Sequence, residues 1–233
     1  MATELLTRTR TDEELRKLVQ EELDWDIHIT DPAAIGVSAL KGIVSLSGQV
    51  PTFAEKMAAE DASHRVSGVR DVANDITVAY PGHAPRTDAE IAQAVRAALE
   101  WNTLIPNEKI QSTVAQGWVT LEGEVNLHSQ RYDAELTIRH LAGVRGVTNS
   151  ITVNPVQPVP DAWSIRTSIE AALERQSEQE ARRLGVSVEP GTGTVTLTGT
   201  VRSWSEKQAA ANAAGFARGV RHVDNRLAVN PHL

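Results

Sequence analysis

Apolar residues recur every fourth position at Leu15, Val19 and Leu23, again at Ile91, Val95 and Leu99, and again at Ile165, Ile169 and Leu173. Each trio lines one face of a predicted helix. Asp12, Asp88 and Asp161 stand ahead of these helices as expected N-caps, because an aspartate carboxylate can accept from the free amides of a first turn. Downstream of each helix the period changes from four to two. Val44, Leu46, Gly48 and Val50 follow a V-x-L-x-G-x-V pattern, repeated at Val119, Leu121, Gly123, Val125 and at Val195, Leu197, Gly199, Val201. Strict alternation of this kind marks a strand with one buried face. A shorter alternating segment precedes each strand (Ile35 and Val37, Ile110 and Ser112, Val186 and Val188), which predicts an antiparallel hairpin. The turn is clearest in the third copy, where "EPGTG" supplies residues suited to tight reversals.

A second helix follows each hairpin, in "TFAEKMAAEDASHRV", "SQRYDAELTIRHLA" and "SWSEKQAAANAAGFA". Thr52 and Glu55, like Ser203 and Glu206, have capping-box spacing. Each copy then closes on a related ending: "GVRDVANDITV" from Gly68, "GVRGVTNSITV" from Gly143 and "GVRHVDNRLAV" from Gly219. Gly68, Gly143 and Gly219 are placed to end the second helix. Asn74, Asn149 and Asn225 fall between the apolar residues of a third strand. A right-handed strand–helix–strand crossover would set that strand parallel to the second. The pattern therefore predicts an α+β protein of three tandem small domains. Each is helix–strand–strand–helix–strand, with a three-stranded mixed sheet covered on one face by two helices. Proline-bearing connectors, "YPGHAPR" and "NPVQPVP", set expected boundaries at 1–80, 81–155 and 156–233.

The V-x-L-x-G-x-V strand, followed at fixed distance by GV-x-x-V-x-N-x-(I/L)-x-V, resembles the BON domain (bacterial OsmY and nodulation), three times over nearly the whole chain. The resemblance implies a non-enzymatic module associated with phospholipid membranes, envelope integrity and osmotic-shock protection. Its signature residues, including Gly48, Gly123 and Gly199, read as structural: they permit bends or close packing.

Composition narrows the functional classes. A net charge of -7 argues against nucleic-acid binding. The absence of cysteine excludes disulfides, thiolate metal sites and cysteine nucleophiles. The seven histidines occupy no shared position and show no metal-binding spacing, and no nucleophile elbow or P-loop is present. No enzyme activity, metal or cofactor is expected. No segment has the apolar core of a signal peptide or spanning helix, so the expected location is cytoplasmic, or periplasmic if a leader has been removed.

Two features suit binding. Arg70, Arg145 and Arg221 follow glycine-valine in every copy, and guanidinium donates in a planar fork that fits phosphate. Tryptophan is the other, since its apolar body and single donor favour a lipid–water boundary. Trp25 and Trp101 are expected to fill cores, and Trp204 to be exposed. By domain the net charges are -6, -2 and +1. Anionic phospholipid should therefore meet the third domain first, through Arg202, Trp204, Arg218 and Arg221. The alternatives are assembly into a homo-oligomer, or with an unidentified protein, through sheet edges or helix faces, and more weakly the carriage of a small ligand.

Overall fold

The computed structural model describes residues 10–79, 86–155, 160–176 and 181–230. The first repeat runs α1 (Asp12–Trp25), β1 (Ile35–Leu40), β2 (Ile43–Val50), α2 (Phe53–Arg65), β3 (Asp71–Asn74) and β4 (Thr77–Val78). The second runs α3 (Asp88–Trp101), β5 (Ile110–Ala115), β6 (Trp118–Val125), α4 (His128–Arg139) and β7 (Gly146–Val153). The third runs α5 (Ala162–Gln176), β8 (Leu184–Val188), β9 (Thr194–Val201), α6 (Trp204–Gly215), β10 (His222–Asn225) and β11 (Ala228–Val229). The fold is the expected α+β architecture in three tandem small units, each with its own mixed sheet.

In every repeat the second strand is central. It pairs antiparallel with its hairpin partner and parallel with the closing strand. Alternation decides which face is buried: Val44, Leu46 and Val50 are inside, while Ile43, Ser47 and Gln49 are outside. Leu15, Val19 and Leu23 of α1 meet that inner face, with Ala59 and Ala62 of α2. Each fully buried Leu, Ile or Val of such a core contributes about 1.5–3 kcal/mol. Gly48, Gly123 and Gly199 sit where the segment before the hairpin crosses the central strand. Their φ values are 119°, 142° and 122°. A Cβ there would overlap the carbonyl oxygen of Ala34, Lys109 or Arg183.

The closing strand is continuous in the second repeat and broken in the other two, at Asp75–Ile76 and Arg226–Leu227. The shared asparagine has the same task in all three. Its Oδ1 accepts from the amide two residues on: Ile76 at 3.3 Å, Ile151 at 3.2 Å and Leu227 at 3.2 Å. In the first two repeats its Nδ2 also donates to the second helix, at the carbonyls of Lys56 (3.1 Å) and Arg131 (2.8 Å). An amide on an edge strand is thereby occupied, and the strand is fastened to its helix.

The expected N-caps are corrected in two of three cases. Thr11 and Thr87 cap α1 and α3, each in a full capping box with Glu14 and Glu90. Asp12 and Asp88 are the first helical residues instead, with a different role described below. Asp161 does cap α5, its Oδ1 accepting from the Ser164 amide at 3.0 Å. Thr52 and Ser203 accept from the amides of Glu55 and Glu206 as expected. By compactness the chain forms two units: Met1–Pro81 with Thr200–Gln208 and Ala228–Leu233, and Gly82–Gly199 with Ala209–Leu227.

Candidate functional site

The repeated arginines mark one corner of each repeat, where the hairpin turn meets the start of the closing strand. In the first two repeats the turn has two residues, Lys41–Gly42 and Gln116–Gly117, all with φ between 53° and 82°. This doubly left-handed turn matches the twist of the strands it joins. The amides of Arg70, Arg145 and Arg221 donate to the carbonyls of Gly42, Gly117 and Gly193 at 2.8, 2.9 and 2.9 Å. Their methylene stems lie over the same glycines. Arg70 and Arg145 are exposed and Arg221 half-buried, and none forms an ion pair among the described residues. Part of the arginine repetition is thus structural, because the stem covers the turn. The charged head remains available.

Apolar side chains stand beside these heads. Leu40 and Ile43 are exposed next to Lys41 and Arg70. Trp118 is 50% exposed in the second repeat, near Arg145. Its ring lies across Gly146, where any Cβ would collide with it, and its Nε1 donates to Thr148 Oγ1 at 2.8 Å. The indole is therefore held flat on the open face of the sheet, fixed in place though half in solvent.

A carboxylate braces this corner from behind. Asp88 accepts from the amides of Gln116 and Gly117, both at 2.8 Å, and Asp12 from Gly42 at 3.3 Å. The third repeat has Ala162 at the matching position and a longer turn, Glu189–Gly193, opposite it.

The tryptophan expectations are reversed. Trp25 and Trp101 do not fill cores: they are 77% and 86% exposed at the ends of α1 and α3, beside exposed Ile27 and Leu104. Leu23 and Leu99 already complete the buried face, so the residue two positions later points away. Trp204 is half-buried, stacked on His64 with ring centroids 4.5 Å apart, and Lys207 lies over its ring. Burial lowers the pKa of His64 despite the opposing pull of Asp61 and Asp71, which favours the neutral imidazole. Arg202 and Arg218 are exposed. Trp204 itself is already engaged, by His64 and Lys207.

Trp118 was not among the contact residues expected from the sequence, yet it is the half-exposed aromatic at this corner. Its signal was a large aromatic at the outward phase of an otherwise alternating strand, opposite a glycine 28 residues later. Among the described residues no group of three His, Asp or Glu side chains could hold a metal, and no helix is long and apolar enough to cross a membrane.

Three small α+β modules in tandem, each with an arginine-bearing hairpin corner, define a class of repeat-built proteins. The chain belongs to the BON-domain family, whose model matches residues 11–80, 87–155 and 161–231. Two solved structures of CdsD, a structural protein of the type III secretion system of Chlamydia trachomatis, show weak similarity. One is 14% identical, covering 93% of this chain and 92% of that one. The other, its C-terminal domain, is 15% identical, covering 95% and 100%. Both have a TM-score of 0.26, which carries no argument about function.

Proposed function

We propose that the protein is a non-enzymatic, peripheral binding protein of anionic phospholipid surfaces, linked to envelope or osmotic stress, and that its hairpin corners make the contact. The family is known in phospholipid-binding stress proteins, which supports the membrane part of this reading. The observation that carries it is the corner of the second repeat. Arg145 stands there without an ion-pair partner among the described residues, beside a tryptophan fixed on the sheet surface, with Arg86 packed nearby at Gly143. A cation and an immobilised indole on one corner suit the boundary between phosphate headgroups and acyl chains. The first repeat offers a parallel set in Lys41, Arg70, Leu40 and Ile43. The leading role moves from the third repeat to the second, because Trp204 is occupied by His64 and Lys207.

The test is co-sedimentation of the full chain with anionic and with neutral vesicles at low and high salt. Binding to anionic vesicles that weakens with salt is expected. Trp118→Ala and Arg145→Ala should each reduce it more than Arg202→Ala does. Absence of sedimentation under every condition sinks the reading. Self-association is the second reading, favoured by the exposed pairs Trp25–Ile27 and Trp101–Leu104. Sedimentation equilibrium of the full chain decides it: a monomer at all concentrations rejects it.

A further inference from the structure

A cavity of about 380 Å³ opens in the third repeat between the start of α5 and the hairpin turn. Ala162, Gly193 and Arg221 line it, with Asp161, Glu189 and Pro190. The sister repeats show what this place holds when it is filled. In the second, Asp88 enters it and takes two turn amides at 2.8 Å, one of them that of Gly117. In the first, Asp12 takes the Gly42 amide at 3.3 Å. Gly193 is the counterpart of Gly117: both have positive φ, both accept from the following arginine's amide, and both lie under that arginine's stem. Ile165 is the counterpart of Ile91, each amide donating to the capping residue at 3.0 Å, which places Ala162 where Asp88 stands. The third repeat thus keeps the turn glycine under the arginine stem, in a longer turn, and lacks the carboxylate.

We infer that this cavity is a binding site for a small organic carboxylate, which takes the place of the missing aspartate against the Gly193 amide and Arg221. Arg221 adds a planar, fork-shaped donor at the cavity wall. The two acids in the lining are occupied elsewhere: Asp161 by the Ser164 amide and hydroxyl at 3.0 and 2.8 Å, Glu189 by the Thr192 hydroxyl at 2.7 Å. Their charges still repel a second negative charge close by, so a singly charged carboxylate is favoured over a phosphate dianion. The cavity has room for several carbon atoms beyond the carboxylate. The site shares Arg221 with the membrane reading but does not depend on it, and soluble ligands without vesicles test it separately.

The experiment is amide and arginine-side-chain NMR of the full chain, titrated at constant ionic strength with acetate, butyrate and inorganic phosphate, against chloride. Saturable shifts at Gly193 and Arg221 with the two carboxylates are expected, while the turns at Gly42 and Gly117 stay still. Ala162→Asp should weaken the response at least ~10-fold by supplying the group internally, a loss of about 1.4 kcal/mol in binding. Arg221→Gln should weaken it as well, in a protein whose other resonances are unchanged. No saturable shift, an equal response to phosphate, or an Ala162→Asp chain that still binds carboxylate normally would each overturn the inference.

Discussion

In the first and second repeats a helix aspartate reaches across to brace a two-residue hairpin turn, and a tryptophan projects from the far end of the same helix. The third repeat has alanine for that aspartate, Arg175 near the matching helix end, and a five-residue turn. The central strand, the glycine at its crossing and the edge-capping asparagine are common to all three. The fold therefore rests on the sheet and its crossing, while the helix–turn brace can be released without losing the architecture. Released positions are where new contacts can form.

If the crossing is the common requirement, breaking it should cost each repeat alike. Gly123→Ala and Gly199→Ala both force a Cβ against a backbone carbonyl at positive φ, where a side chain cannot relieve the overlap by rotating. Each should lose about 2–4 kcal/mol of stability in urea unfolding. A much milder effect in the third repeat would show that its longer turn absorbs the strain, and the comparison would have to be redrawn.

The first two repeats also differ from each other, and acid should separate them. Asp26 follows α1 and is nearly buried. Burial pushes its carboxyl up, but the His28 amide and Arg65 outweigh this and hold it below its usual range. At the matching place in the second repeat Asn102 makes uncharged bonds to the Leu104 amide and the Thr137 hydroxyl. A carboxyl depressed in the folded state contributes stability that is complete above its unfolded pKa of 3.8 and is lost as pH falls through the lower folded value. Below about pH 4 the first repeat should accordingly lose stability that Asp26→Asn does not lose. At neutral pH, Arg65→Ala should cost about 1–2 kcal/mol, discounted because the guanidinium is partly exposed. Amide exchange resolved by repeat reads both effects.

These particulars mark how much was legible in the sequence. Periodicity carried the helices, hairpins and strand order, because the buried face of each element repeats at its own period. The roles of Asp12 and Asp88 were not legible: the helix start and the turn they join are separated by about 30 residues, and no local pattern records that contact. Nor was the fate of the tryptophans. Side-chain size argued for burial at Trp25 and Trp101, yet phase along the helix decided against it. For Trp204, the stacking partner His64 lies far away in the sequence. The asparagine motif was visible as a repeat, but its purpose required seeing which amide lay on an open edge.

The brace itself should have a graded effect. Asp88→Ala removes two charge-assisted bonds at 2.8 Å and should cost about 1–2 kcal/mol, whereas Asp12→Ala removes one bond at 3.3 Å and should cost about 0.5 kcal/mol. Ala162→Asp should run the other way and raise the third repeat's stability by some tenths of a kcal/mol up to about 1. Equal losses from Asp12 and Asp88 would mean that the carboxylates act through the helix terminus alone and that the turn bonds contribute nothing.

The smallest effects separate tryptophans held for contact from one held for structure. Trp25→Ser and Trp101→Ser change side chains that are mostly in solvent, so thermal unfolding should move within about 0.5 kcal/mol of the parent. Trp204→Ala removes a ring stacked on the buried His64 and should cost more, about 1–2 kcal/mol. Free exposed indoles with no cost in stability would be side chains available to a partner. A measurable loss from Trp101→Ser would instead show that its ring is covered by another part of the chain or by a second copy. Repeating the measurement across protein concentrations distinguishes these, since only contact with a second copy makes the loss depend on concentration.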